Sequence, residues 1–234
     1  WIFLMSVSIG VVSRYWIFLQ NPAWPAGINV IAPGKLSTEH LREALDGVSG
    51  TILFAAPAPL RNVIKDGARF PNVRCVMSAG APVSDVLLRE VAQSFPDAEL
   101  FSPYGMTEML IITDGIRDSS TSSRGVPVGQ PLPGVDVVVF PFGCVSTDAL
   151  EPVATGATGE IFVTGPWLSV GYDQHWARNR EARVQYEGRE WHRTGDVGHV
   201  QDGLFVEGRI AHVIEIVGTQ VTPVPIEQSV EEIL

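Results

Sequence analysis

Cysteine is nearly absent from this 234-residue chain: Cys75 and Cys144 are its only two, and neither has a second Cys or a His at zinc-ligand spacing. They cannot form a disulfide framework or a structural zinc site, so the expectation is reduced thiols in a cytoplasmic protein. Cys75 lies in a hydrophobic run and reads as a small core residue. Charge is sparse as well, at 18% of residues, and its balance is acidic: 16 Lys and Arg against 26 Asp and Glu, a net charge of −10, with no basic block. That argues against nucleic acid as a partner. Nor is there an uninterrupted membrane span. Residues 1–19 come nearest, but Arg14 lies among them, and a charge inside a span costs several kcal/mol. A basic n-region and an A-x-A cleavage site are both missing. The stretch reads as a buried helix or strand pair, with a membrane-contacting surface as the alternative. The phosphate loop G-x-x-x-x-G-K-[ST], the elbow G-x-S-x-G and the helix H-E-x-x-H do not occur. His40, His175, His192, His199 and His212 are scattered, and each reads as a surface or satisfied core residue.

What is present is an alternation of strand and helix patterns in a chain that is 45% hydrophobic and so expected to be globular. Residues 28–32 form a short apolar run bounded by Gly27 and Pro33, as a buried strand would. Ser37 is a candidate N-cap, with Leu36 and Leu41 as a hydrophobic staple and Leu41, Ala44, Leu45 and Val48 on one face. Residues 51–56 and 73–78 repeat the strand signal, with a short helix expected at 60–65. A second strong helix opens at Ser84, buries Leu87, Leu88, Val91, Ala92 and Phe95, and stops at Pro96. This is an α/β pattern, a mostly parallel sheet with flanking helices. After residue 115 the pattern changes. Residues 118–125 read as a mobile loop, and apolar runs at 135–140, 161–164, 198–200 and 204–206 alternate with Gly and Pro. That is a β-rich, barrel-like or distorted antiparallel subdomain. A strand at 213–217 and a helix at 223–234, with prolines in its first turn, complete the chain. Both ends read as cuts through a larger protein.

Four polar clusters follow expected strands, where α/β folds bind ligands. Ser78, Ala79, Gly80, Ala81 and Pro82 would let a flat ligand lie against the backbone, and a tight turn explains them equally well. In Tyr104, Gly105, Met106, Thr107 and Glu108 the aromatic face can stack on a base. The Thr hydroxyl can bond a phosphate oxygen, and the carboxylate can hold Mg²⁺; alone, the cluster could be a structural turn. Trp191, His192, Arg193, Thr194, Gly195 and Asp196 end on an Asp expected at a turn between β segments. It is either a turn former or an acceptor for both hydroxyls of a ribose. In Gly208 and Arg209, the Gly marks a candidate hinge and the Arg a ribose or phosphate ligand.

In this order and spacing the clusters resemble the adenylate-forming superfamily of acyl-CoA synthetases, peptide-synthetase adenylation domains and luciferases. The motifs are the clusters at 78–82 and 104–108, GEIFVTGPWLSVGY at 159–172, RTGDVG at 193–198 and Gly208-Arg209, and the likeness covers nearly all of residues 28–234. The resemblance implies that Gly80, Ala81 and Pro82 border an adenine on which Tyr104 stacks. It also implies that Thr107 contacts the α-phosphate, Glu108 binds Mg²⁺, Asp196 takes the ribose hydroxyls and Arg209 approaches the ribose from the hinge side. Gly105 and Met106 are the candidates beside the acyl substrate. The implied reaction joins a carboxylic acid to ATP, giving an acyl-adenylate and pyrophosphate. The implied division is 1–123 and 124–207, the α/β part and β-rich subdomain of one large adenylation domain, then 208–234, a hinge and the start of a small α+β C-terminal domain. The family's phosphate loop is expected before residue 1 and its catalytic Lys beyond Leu234.

The hinge departs from the common pattern. Many acyl-CoA synthetases have an acidic hinge residue and a following Lys where this chain has His212 and Glu215. A Gly-Arg-x-x-His hinge with Trp-His-Arg-Thr-Gly-Asp looks more like the olefin-pathway β-lactone synthetases. Their reaction adenylates a long-chain 3-hydroxy acid, whose own hydroxyl then closes the lactone at high effective concentration. The implied partners are that acid and other enzymes of a lipid pathway. A long-chain fatty acyl-CoA synthetase, with CoA as second substrate, is the alternative reading, and a non-catalytic nucleotide-binding relative a further one.

Overall fold

The computed structural model describes residues 36–48, 50–65, 67–116, 124–144 and 150–233, together with the backbone of residues 2–6 and 29–31. Residues 118–123 of the loop expected at 118–125 and most of the apolar stretch at 1–19 therefore lie outside the described residues. The chain forms two compact units, Trp1–Ser102 and Pro103–Leu234.

The first unit is the α/β layer. Its strands are β1 (Ile2–Ser6), β2 (Asn29–Ile31), β3 (Thr51–Ala55), β4 (Val73–Met77) and β5 (Glu99–Phe101), and its helices α1 (Thr38–Leu45), α2 (Pro57–Ile64) and α3 (Asp85–Ser94). All the strand pairs are parallel and their order is β2-β1-β3-β4-β5. The expected caps form: Ser37 Oγ accepts the His40 N–H at 3.3 Å, and Ser84 Oγ accepts the Leu87 N–H at 3.2 Å. The helix expected at 60–65 begins three residues earlier, because Pro57 sits at its start, where a missing N–H costs nothing. Leu41, Leu53, Leu60, Val63, Leu87 and Val91 are all but sealed from solvent, and Phe70 stacks on Phe95 at 5.3 Å. Each such leucine contributes about 2 kcal/mol of apolar burial. The cluster Ser78 to Pro82 follows the C-terminal end of β4, where Ser78 N–H donates to Phe101 O at 2.9 Å and pins the loop to β5.

The second unit is antiparallel. Strands β6 (Val126–Pro127), β7 (Asp136–Phe140), β8 (Gly159–Thr164), β9 (Arg183–Tyr186), β10 (Arg189–Val200) and β11 (Leu204–Arg209) form one sheet, ordered β6-β11-β10-β8-β7, with β9 also on β10. Helix α4 (Trp176–Ala182) precedes β9. A hairpin of β12 (Ile214–Ile216) and β13 (Thr219–Val221) leads into α5 (Pro223–Ile233). One core joins Met109, Ile112, Val128, Val139, Ile161, Val163 and Leu204 with Val224 of α5, and a second joins Phe140, Phe162 and Trp191.

One local expectation is corrected. Asp196 is not at a turn between β segments but inside the twelve-residue strand β10, of which 198–200 is only the end. Its buried positions include His192, Thr194, Asp196 and His199, so the strand's inward face does not read as apolar. The strand expected at 213–217 forms as β12, the first arm of the β12–β13 hairpin. No described helix is long and apolar enough to cross a membrane.

Candidate active site

The segment from Tyr104 to Glu108 is a tightly cross-braced turn. Tyr104 O accepts the N–H groups of Ile112 and Thr113 at 2.8 and 3.2 Å, Tyr104 N–H donates to Thr113 Oγ1 at 3.0 Å, and Met106 and Met109 exchange backbone bonds at 2.9 and 3.1 Å. Gly105 is required by close approach, since a Cβ there would lie 2.0 Å from Leu110 O. Thr107 is exposed at the turn, and Glu108, Gly105 and Met106 are half-buried.

Asp196 is aimed by an irregularity in β10. The pairing with β8 shifts between Arg193 and Val197, and the pairing with β11 shifts between Val197 and Gly198. Such bulges re-aim a side chain within a sheet. Thr194 locks the distortion: its hydroxyl donates to Ile161 O at 2.8 Å and accepts the Asp196 N–H at 3.0 Å. Asp196 is then buried, receives the Tyr104 hydroxyl on Oδ2 at 2.5 Å and pairs through Oδ1 with Arg209 Nε at 2.9 Å. Arg209 is its cross-strand neighbour on β11 and remains largely exposed. Burial raises the Asp196 pKa, and the Tyr104 hydroxyl and Arg209 oppose the rise. Burial, then the Asp196 charge, raise the Tyr104 pKa well above its usual value, so its hydroxyl is a proton donor. The structure thus joins Tyr104, Asp196 and Arg209 into a flat aromatic ring beside a carboxylate and a cation.

A second centre forms around Glu108. Its Oε1 accepts the Tyr172 hydroxyl at 2.6 Å. Burial alone would raise its pKa, but the Tyr172 hydroxyl, its own N–H, His192 and Arg178 together bring it below the usual carboxylate value. The Arg178 guanidinium lies 4.7 Å from the Tyr172 ring centre and the His192 ring 6.5 Å from it. Buried His192 is not the satisfied core residue expected, because its Nδ1 has no hydrogen-bond partner among the described residues. Burial and the neighbouring Arg183 charge bring its pKa down to about 4, against the pull of Glu108, and keep the ring neutral.

Two further buried carboxylates are structural. Arg193 grips the buried Glu160 with Nε at 2.5 Å and Nη2 at 2.7 Å, while Gly143 N–H adds a bond at 2.9 Å. Glu207 gathers His199, Thr158 and Thr222 at 2.6, 2.8 and 2.9 Å, so His199 is the satisfied core histidine expected. No group of three or more His, Cys, Asp or Glu that could hold a metal ion occurs among the described residues. Glu108 is a single carboxylate with one oxygen engaged by Tyr172, and a lone carboxylate of this kind is chemically compatible with Mg²⁺, which commonly takes one or two protein carboxylates and fills its shell with water or phosphate oxygens.

A family model described as AMP-binding enzyme matches residues 7–173, well over half of the chain. The chain belongs to the AMP-binding enzyme family. Among its relatives, an olefin beta-lactone synthetase of Xanthomonas campestris is 30% identical over 201 residues, covering 78% of this chain and 36% of the relative. A 4-coumarate–CoA ligase-like protein of Oryza sativa is 26% identical over 205 residues, covering 86% and 36%. The chain therefore spans about a third of the length of these relatives. Among solved structures, the amide bond synthetase McbA from Marinactinospora thermotolerans superposes with a TM-score of 0.80 at 23% identity, covering 99% of this chain and 46% of that one. That likeness shows the adenylate-forming fold.

Gly80, Ala81 and Pro82 sit in the loop after β4 in the first unit, all three exposed; the Oγ of the buried Ser78 before them has no hydrogen-bond partner among the described residues. Tyr172, Arg178, Asn179 and His192 were given no role by sequence reasoning. Tyr172 ends a quoted motif, which is the one signal that could have drawn attention to it.

Proposed function

We propose that this chain carries the nucleotide-binding part of an ATP-dependent enzyme that activates a carboxylic acid as its acyl-adenylate. The observation that carries the reading is the Tyr104, Asp196 and Arg209 constellation in a member of the AMP-binding family. In this reading the Tyr104 ring stacks on adenine, with Gly80, Ala81 and Pro82 bordering the base. Asp196 exchanges its protein partners for ribose hydroxyls, helped by the exposure of the long Arg209 side chain. Thr107, exposed on its turn, bonds an α-phosphate oxygen, and Glu108 holds Mg²⁺ on the oxygen that Tyr172 leaves free. A bound Mg²⁺ supplies charge neutralisation at the phosphates. The residues of the chain orient the nucleotide so that the carboxylate attacks in line with the α-phosphate, and orientation of this kind is a large part of catalysis.

The finer reading is that the acid is a long-chain 3-hydroxy (2-alkyl) fatty acid whose hydroxyl closes a β-lactone in olefin biosynthesis. His212 in place of an acidic hinge residue, and the β-lactone synthetase among the relatives, support it. A long-chain fatty acyl-CoA synthetase is the second reading, favoured by the CoA ligase among the relatives. Incubating the full-length protein with ATP, Mg²⁺ and a 3-hydroxy fatty acid, with and without CoA, separates them. The expected result is AMP and a β-lactone in both. A CoA-dependent thioester overturns the lactone reading. Nucleotide binding without AMP formation from any carboxylic acid overturns adenylation and favours a non-catalytic relative.

A further inference from the structure

The segment from Ser169 to Arg183 has little apolar anchorage, since α4 buries none of its residues. It is held instead by polar ties that converge on Tyr172. Asn179 brackets the Tyr172 backbone on both sides: its Oδ1 accepts the Tyr172 N–H at 2.7 Å, and its Nδ2 donates to Tyr172 O at 2.8 Å. Gly171, with φ +147, makes room for this clamp, because a Cβ there would lie 2.9 Å from Asn179 Oδ1. Arg178 covers the ring face, and Arg183 Nη2 donates to both Ser169 O and Ser169 Oγ, at 2.5 and 3.1 Å. Ser169 N–H in turn donates to Glu108 O at 2.8 Å, so the same segment braces the backbone of Glu108 while Tyr172 braces its carboxylate.

We infer that Tyr172 is a positioning residue that limits Glu108 to a single cation-binding oxygen and so favours a small octahedral cation over a larger one. The inference rests on the reading of Glu108 as a cation ligand given above. A carboxylate with both oxygens free can chelate through both, a mode that Ca²⁺ accepts readily in its flexible shell of six to eight ligands. Mg²⁺ requires near-octahedral geometry with short bonds. With Oε1 engaged by a clamped hydroxyl at 2.6 Å, Oε2 is the oxygen without that bond, and chelation through both would have to compete with the Tyr172 hydroxyl. Outer partners of this kind orient a ligand without touching the ion, and their loss typically weakens metal binding about 10–100-fold.

The test is equilibrium ATP binding by the full-length protein, measured by calorimetry in EDTA, in Mg²⁺ and in Ca²⁺, with no turnover involved. Tyr172→Phe keeps the ring beneath Arg178 and removes only the hydroxyl. It is expected to leave ATP affinity in EDTA within about twofold of wild type, to cut the Mg²⁺ enhancement about tenfold, and to leave the Ca²⁺ enhancement unchanged or higher. Asn179→Ala, which retains the hydroxyl and loosens its clamp, is expected to shift the Mg²⁺ to Ca²⁺ ratio in the same direction by less, and it decides the matter if Tyr172→Phe fails to fold. A Mg²⁺ to Ca²⁺ ratio that is unchanged in these variants, while Glu108→Gln loses the Mg²⁺ enhancement, overturns the role of Tyr172. A Mg²⁺ enhancement that survives Glu108→Gln overturns the reading of Glu108 itself, and the inference with it.

Discussion

Replacing Arg193 by Leu separates the structural from the ligand-binding members of the RTGD motif. Glu160, the partner, has a side chain only 1% exposed, and Arg193 supplies two of the three hydrogen bonds that its carboxylate receives. After Arg193→Leu the Gly143 N–H is the one remaining donor among these. Removing one partner of a buried pair typically costs about 3–5 kcal/mol, because the other charge stays buried without compensation. For a chain of this size that corresponds to a fall in Tm of about 6–20 °C. Removing both charges is another matter: Glu160→Met combined with Arg193→Leu replaces the pair by apolar volume beside Phe140 and Phe162, and such replacements are often neutral or stabilising. The assay is urea unfolding of the two single variants and the double variant, with the coupling read from the cycle. The expected pattern is two damaging single substitutions and a double variant within about 1.5 kcal/mol of wild type. A single Arg193→Leu that costs less than about 1 kcal/mol, the value of an exposed ion pair, refutes the argument from burial.

Acidification is expected to destabilise the protein through His192. A pKa near 4 when folded, against 6.5 for the free side chain, means that the unfolded chain binds a proton first. The His192 contribution is therefore complete above about pH 6.5 and is lost as pH falls towards about 4, to the extent of about 3 kcal/mol. Urea titrations of wild type and His192→Gln across that window should diverge by about this amount, and parallel curves would contradict it. Glu207→Ala leaves His199, Thr158 and Thr222 without their shared acceptor and is expected to cost about 3 kcal/mol in thermal or chemical unfolding, with Thr222→Val costing about 1. Gly105→Ala places a methyl group against Leu110 O and is expected to destabilise by at least about 2 kcal/mol and to weaken ATP binding by displacing Tyr104. Retention of wild-type stability and affinity in that variant would show that the turn can relax.

The parts of the fold that were legible in the sequence are those set by near neighbours. Ser37 and Ser84 announce α1 and α3 because a cap bonds an N–H three residues ahead, and the apolar positions of those helices follow from a 3.6-residue period. The parallel pairing of β3 and β4 was implied in the same way by alternating strands and helices. Strand β10 escaped this logic because it buries His192, Thr194, Asp196 and His199, each of which reads locally as polar surface or turn. The residues of the candidate site were legible as motifs, since Tyr104, Glu108, Asp196 and Arg209 all lie in clusters whose order marks the family. What those side chains touch was not. Tyr104 meets Asp196 across 92 residues and Tyr172 meets Glu108 across 64.

By itself, then, the sequence determined the helix starts, the α/β and β-rich halves and the membership in an AMP-binding family, because periodicity, capping and motif order depend on residues close together in the chain. Only the tertiary structure decided that Asp196 is bonded by Tyr104 and Arg209, that Glu108 has one oxygen engaged, and that His192 is buried with a nitrogen that finds no partner among the described residues. Those facts depend on the register of β10 against its neighbours and on a bulge within it, and strand register is set by the packing of the whole sheet.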